Sequence, residues 1–267
     1  MVGVSCSAQY PLPEKSKKEP FMRSSPVKRM RVFAGPNGSG KSAVYELVQR
    51  QYRIGYYINA DEIEKELSAK GFLNLDNYRL SLSQPKFEKY LQQSPFPSKS
   101  LESGLNVHLR LQENVLVSTA SKSNSYEAAF IAEMLRLELL EQGATFSFET
   151  VMSHPSKLAI FKRASESGYR TYLYFVCTQD PNINIERIQN RITKGGHPVP
   201  INKVEERYYR SLEILAPAAM VAHRTYLFDN SSDEVELIAA FSPDRRITLY
   251  TDMVPEWVGK YFLDRVG

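Results

Sequence analysis

Apolar runs and amphipathic stretches alternate along the chain from about residue 29 onwards. An apolar run that ends at residues 32–34 predicts a strand, and residues 43–52 follow it with the apolar spacing of a helix. A second short strand is predicted at residues 56–58. Strand and helix units that alternate in this way are typical of a parallel sheet covered by helices. The pattern therefore predicts an α/β fold.

The alternation resumes after residues 62–123, which show no clear pattern. Asn124 stands three residues before Glu127, the spacing of a helix N-terminal capping box, and Gly143 marks the end of that helix. The further strands are predicted at residues 145–149, 171–177, 225–228 and 247–250, and the further helices at residues 155–167, 183–193, 201–215, 233–241 and 255–265.

Positive charge is concentrated at the N-terminus. The formal net charge is +4, but residues 1–32 contain seven basic and two acidic side chains, so the remainder carries −1. Residues 1–28 are therefore predicted to be a basic, disordered leader, and a nucleic-acid partner is not expected for the rest. No apolar run approaches the roughly 20 residues that span a bilayer, so no membrane contact is expected and the cytoplasm is the predicted location.

Residues 35–42 match the phosphate-binding pattern G-x-x-x-x-G-K-[ST] at every fixed position. In such a loop, backbone N–H groups surround the phosphates of ATP or GTP, and Lys41 reaches the β- and γ-phosphates. Ser42 is the predicted ligand of Mg²⁺. Nucleotide binding is assigned to all eight positions, which are Gly35, Pro36, Asn37, Gly38, Ser39, Gly40, Lys41 and Ser42.

Two strand ends supply polar groups for a phosphate acceptor. Asp61 follows the second predicted strand, where a carboxylate can take the proton of an acceptor hydroxyl as a general base. Its neighbour Glu62 is the rival base, and Asp61 could instead cap the following helix. Glu149 ends another strand at the same predicted edge and Thr150 follows it, so both could bind acceptor hydroxyls, although a surface carboxylate at a strand end is equally common. The region from residue 29 to residue 267 is thus predicted to be a small-molecule kinase domain.

A predicted helix at residues 183–193 carries two arginines on one face. Arg187 and Arg191 share that face with Asn184, while isoleucines form the apolar stripe. Arginines that close over a nucleotide stabilise the charge that develops in phosphoryl transfer. The alternative is a solvated arginine face.

Together these segments resemble the zeta toxin family over roughly residues 30–265. The matching segments are residues 35–42, 59–63, 147–150, 184–191, 195–200 and 228–231. The resemblance implies a P-loop kinase-like, mostly parallel sheet with helices on both faces. It also implies phosphorylation of a UDP-activated amino sugar, typically UDP-N-acetylglucosamine, on a sugar hydroxyl.

The resemblance assigns a role to each candidate. Lys41 and Ser42 handle the triphosphate and Mg²⁺, Asp61 is the base, and Arg187 and Arg191 are the closing cations. Glu149, with Thr150, binds the sugar. A small helical antitoxin is the partner that the family implies. Two alternatives stay open, a nucleotide-dependent regulatory or nucleic-acid-binding protein and a kinase of another small acceptor.

Overall fold

A computed structural model describes residues 27–102, 107–120, 124–193 and 200–267. The predicted leader at residues 1–28 lies almost entirely outside these ranges, as does most of the segment at residues 195–200. The fold is α/β, with a seven-stranded, mostly parallel sheet in the order β10-β9-β8-β7-β1-β6-β2. Its strands are β1 (Arg29–Ala34), β2 (Tyr56–Ile58), β6 (Phe146–Thr150), β7 (Arg170–Cys177), β8 (Arg224–Asp229), β9 (Glu236–Phe241) and β10 (Ile247–Leu249).

Five strands of this sheet are parallel, and β9 and β10 are added to one side as antiparallel strands. A separate antiparallel sheet has the order β3-β5-β4. This small sheet lies within residues 62–123, for which the sequence predicts no elements. Its strands are β3 (Phe72–Asn74), β4 (Leu109–Gln112) and β5 (Val115–Ser118).

Helices cover both faces of the large sheet, as predicted. Their bounds are α1 (Lys41–Gln51), α2 (Ala60–Lys70), α3 (Gln84–Gln93), α4 (Phe96–Glu102), α5 (Ser125–Gln142), α6 (Ala159–Glu166), α7 (Pro181–Thr193), α8 (Ile201–Val221), α9 (Glu256–Val258) and α10 (Asp264–Val266). Short 3₁₀ turns at Leu75–Tyr78 and Pro155–Leu158 and a π turn at Gly259–Leu263 complete the described helices. None of the described helices is both long and apolar enough to cross a bilayer.

Alternating side chains of the central strands build two cores. Phe33, Tyr174 and Phe228 point to one face, where they pack with Val44 and Val48 of α1. The other face carries the larger core, which joins β1, β7 and β8 to helices α5, α6 and α8. This core also includes the C-terminal helical segment, which is residues 256–266. The aromatic residues of β7 therefore contribute to these two cores.

The prediction of a helix at residues 233–241 is wrong, because residues Glu236–Phe241 form the strand β9. Leu237, Ile238, Ala239, Ala240 and Phe241 are all buried. A strand that is covered on both faces has no polar alternation, so its sequence cannot be distinguished from that of a buried helix by periodicity.

Candidate functional site

The phosphate-binding pattern lies between the end of β1 and the start of α1. Within the described residues, the backbone N–H groups of Gly38, Gly40 and Lys41 have no hydrogen-bond acceptor. Free N–H groups at the start of a helix attract anions, because the helix dipole adds positive potential there. The local structure is therefore suited to binding phosphate groups.

Lys41 lies back over this loop. Its Nζ donates hydrogen bonds to the carbonyl oxygens of Gly35, at 3.1 Å, and of Pro36, at 2.9 Å. Burial lowers the pKa of Lys41, Glu149 and Asp61 oppose that decrease, and Arg191 adds to it. The Lys41 ammonium group is therefore within electrostatic reach of three other predicted site residues, which are Glu149, Asp61 and Arg191.

A chain of hydrogen bonds joins Ser42 to the residues around Asp61. Ser42 Oγ donates to Glu149 Oε1 at 3.0 Å, and the Tyr57 hydroxyl donates to the same oxygen at 2.6 Å. Asn59 Nδ2 donates to the Tyr57 hydroxyl at 3.1 Å, while its Oδ1 accepts from the Asp61 backbone N–H at 2.9 Å. The chain thus links the ends of β2 and β6 to the first turn of α1.

Asp61 lies in the first turn of α2 but does not cap it. Asn59 is the N-cap residue, so the capping role considered for Asp61 is wrong. The Asp61 side chain is exposed, and its charge acts to raise the pKa of Lys41. The Glu62 side chain is also exposed. Partial desolvation of its carboxyl group, and then the nearby charge of Glu149, raise the pKa of Glu62. Both candidate bases are therefore at this edge of the sheet.

Thr150 follows Glu149 at the end of β6. Its carbonyl oxygen accepts from the Gly35 N–H at 3.3 Å, and its Oγ1 accepts from the Met152 N–H at 3.2 Å. The structure therefore places Thr150 where it supports the start of the phosphate loop. Its predicted contact with a sugar stays a prediction.

The two arginines of α7 have different surroundings. Arg187 is half-buried, and its guanidinium donates to the carbonyl oxygens of Asn230, at 2.7 Å, and Ser232, at 3.4 Å. Arg191 is exposed and is near enough to lower the pKa of Lys41. Arg191 is thus the freer of the two cations.

Three residues of this arrangement had no role in the sequence analysis. They are Tyr57, Asn59 and Asn230. The position of Asn59 directly before a helix is an N-cap signal that could have been found. The roles of Tyr57 and Asn230 depend on partners more than 90 residues away in sequence, and no local pattern indicates such contacts.

A family model matches part of the chain. The family model described as "Zeta toxin" matches residues 108–239. This range includes Glu149, Thr150, Arg187 and Arg191, and the phosphate loop and Asp61 precede it. No curated protein matches the sequence.

One solved structure shares the fold at low sequence identity. The crystal structure of AvrRxo1-ORF1:AvrRxo1-ORF2 with sulphate ions aligns with a TM-score of 0.51 and 12% identity, over 85% of this chain and 61% of that chain. This chain therefore spans about 61% of that protein's length. A structure from the PezAT chromosomal toxin-antitoxin system of Streptococcus pneumoniae aligns with a TM-score of 0.46 and 12% identity, over 88% of this chain and 76% of that chain.

Proposed function

We propose that this chain, whose residues 108–239 match the zeta toxin family model, is a kinase that transfers the γ-phosphoryl group of ATP or GTP to a sugar hydroxyl of a UDP-activated amino sugar. UDP-N-acetylglucosamine is the proposed acceptor. One observation carries the proposal, the hydrogen-bond chain from Ser42 through Glu149, Tyr57 and Asn59 to Asp61. It holds a phosphate loop and a candidate base at one edge of the sheet.

The triphosphate is assigned to residues 35–42. The free N–H groups of Gly38, Gly40 and Lys41 would bind its oxygens. The Lys41 ammonium, now bonded to two loop carbonyls, would turn to the β- and γ-phosphates. Burial lowers the pKa of Lys41, and a bound anion would favour its charged form.

Ser42 and Glu149 suit Mg²⁺, because their oxygens are hard donors only 3.0 Å apart. When bound there, Mg²⁺ would neutralise charge on the β- and γ-phosphates. We therefore extend the predicted metal site from Ser42 to Glu149. Glu149 was expected to bind the sugar, and the proposal keeps that role for Thr150 and for a second Glu149 oxygen.

Asp61 would act as the base. As the acceptor oxygen forms its bond to the γ-phosphorus, its proton passes to the Asp61 carboxylate. The bond between that phosphorus and the bridging oxygen breaks, and its electron pair leaves on the nucleoside diphosphate. Lys41, Arg191 and, after release from its carbonyl contacts, Arg187 would stabilise the charge of the transferring group.

The test is phosphoryl transfer measured by mass spectrometry with Mg²⁺, ATP and a panel of UDP-sugars. Asp61→Asn should lower kcat about 10²- to 10⁴-fold while ATP binding stays intact, since a base acts in the chemical step. Glu62→Gln is the matched control and should stay within a fewfold of wild type. The kinase proposal fails if no compound gains a phosphate, either in the panel or in a bacterial metabolite extract.

Two results would revise only part of the proposal. Phosphate on another compound of the extract would identify a different acceptor. Loss of transfer in Glu62→Gln, with activity kept in Asp61→Asn, would make Glu62 the base. We also propose a small helical antitoxin as partner, on the match to the zeta toxin family model alone. The cytoplasmic location stays a prediction from the sequence.

A further inference from the structure

Two asparagines hold the phosphate loop by donating hydrogen bonds to its backbone carbonyl groups. Asn184, on α7, is fully buried, and its Nδ2 donates to the carbonyl oxygen of Asn37 at 2.7 Å. Its Oδ1 accepts a short hydrogen bond from the hydroxyl of Thr178, which directly follows β7 and is also fully buried. Both ends of the Asn184 amide are therefore fixed.

Asn230 makes the matching contact two residues further along the loop. It directly follows β8, and its Nδ2 donates to the carbonyl oxygen of Ser39 at 2.9 Å. Its own backbone is held on both sides, because its N–H donates to Cys177 O at 2.8 Å and its carbonyl accepts from Arg187 Nη1 at 2.7 Å. The side chain has little freedom to leave the loop.

The glycines of the loop make this close approach possible. A Cβ atom on Gly38 would lie 2.6 Å from the carbonyl oxygen of Asn184, and one on Gly40 would lie 2.0 Å from Nδ2 of Asn230. Both glycines have positive φ, +78° and +90°, which other residues rarely adopt. Each glycine thus faces one of the two asparagines.

Peptide geometry connects these contacts to the orientation of the Gly38 and Gly40 N–H groups. The carbonyl of Asn37 and the N–H of Gly38 belong to one peptide unit, and the carbonyl of Ser39 and the N–H of Gly40 belong to another. In a trans peptide the two groups point in opposite directions. A hydrogen bond that fixes the carbonyl outwards therefore fixes the N–H inwards, and these are two of the N–H groups without an acceptor in the described part of the chain.

We propose that Asn184 and Asn230 are positioning residues that hold the Gly38 and Gly40 N–H groups in the phosphate-binding orientation before the nucleotide arrives. The inference rests on the proposed function, because it assumes that the loop binds a triphosphate. Preorganisation of this kind removes an ordering cost from binding. Loss of either asparagine should therefore weaken nucleotide affinity more than it slows the chemical step.

The experiment compares Asn184→Ala and Asn230→Ala with Asn190→Ala, which changes an exposed asparagine of the same helix α7. Calorimetry gives the Kd of Mg-ATP, and steady-state kinetics gives kcat and the KM values of ATP and of the acceptor. Each loop variant should raise Kd and the KM of ATP about tenfold, with kcat and the acceptor KM within twofold. Asn190→Ala should match wild type. The double variant should raise Kd about hundredfold, because each asparagine holds a separate peptide.

The inference is overturned if both single variants bind Mg-ATP like wild type, or if kcat falls while both KM values rise, as expected from general loosening of the fold. Circular dichroism checks folding. If an alanine variant does not fold, Asn184→Ser and Asn230→Ser replace it with the same expected result. A wild-type chain that binds no Mg-ATP would overturn the proposed function and this inference with it.

Discussion

The hydroxyl groups of Ser42 and Tyr57 orient the Glu149 carboxylate through hydrogen bonds. The Tyr57 ring stacks on the Tyr45 ring with 3.9 Å between their centroids, and its hydroxyl donates to Glu149. Burial, and then the charge of Glu149, raise the pKa of Tyr57 far above its ordinary value. The hydroxyl therefore stays protonated and acts as a donor at any physiological pH.

Replacing Tyr57 by phenylalanine tests this orientation. Tyr57→Phe keeps the stacked ring and removes one hydrogen bond to a charged group, an interaction of about 1.5–3 kcal/mol. We expect kcat/KM to fall at least about tenfold and the Mg²⁺ concentration for half-maximal activity to rise, as measured by phosphoryl-transfer assays and by direct titration of Mg²⁺-dependent nucleotide binding.

Tyr45→Phe is the control for that change. It removes a hydroxyl from the other ring of the same stack, and its activity and Mg²⁺ requirement should stay near those of wild type. Equal losses in both variants would contradict a specific role of the Tyr57 hydroxyl, because both variants keep the stacked rings.

Among the secondary-structure elements, α5 connects the two sheets. The sequence predicts its N-cap, and Asn124 indeed accepts from the backbone N–H groups of Tyr126 and Glu127. The Glu127 side chain is fully buried and extends to the small sheet. It accepts from the His108 backbone N–H at 2.8 Å and from the Ser118 hydroxyl at 3.0 Å.

Glu127→Leu should separate the small sheet from α5. The substitution leaves two donors without their acceptor, each at a cost of about 1–3 kcal/mol. We expect the free energy of unfolding in urea to fall by about 2–4 kcal/mol and amide hydrogen exchange at His108 to become faster. Glu127→Gln retains an acceptor oxygen and should lose less. A leucine variant as stable as wild type would contradict this account.

The accuracy of the sequence predictions differed between elements for physical reasons. The strands and helices around the phosphate loop have clear periodicity, and their existence was predicted correctly. Helix α8 was predicted to end at residue 215 but continues to Val221 through Pro217. Burial of Ala216, Ala218 and Ala219 stabilises this extension against the helix-breaking effect of proline.

The strands of the small sheet and the contacts between distant residues were beyond sequence reasoning. β3 and β4 have only three and four residues and show no period that marks them as strands. The phosphate loop was found because its chemistry fixes a local pattern. Asn184 was placed correctly on the arginine-bearing helix, but its contact with Asn37 joins positions 147 residues apart.

At the scale of the whole molecule, the C-terminal helical segment packs against the large core and extends to the candidate site. Trp257 is buried, and its indole Nε1 donates to Asp229 Oδ2 at 2.7 Å. The other carboxylate oxygen of Asp229 accepts from the Ser231 N–H at 2.8 Å. Asp229 directly precedes Asn230, so the end of the chain is connected to a residue that holds the phosphate loop.

Trp257 is also the single tryptophan of the sequence, which makes it a natural optical reporter. Excitation at the red edge of protein absorbance would select this indole over the 16 tyrosines. Its Nε1 donates to Asp229, the neighbour of Asn230, so we expect Mg-ATP bound in the phosphate loop to change the emission intensity or wavelength. Stopped-flow mixing could then follow nucleotide arrival in the unlabelled protein.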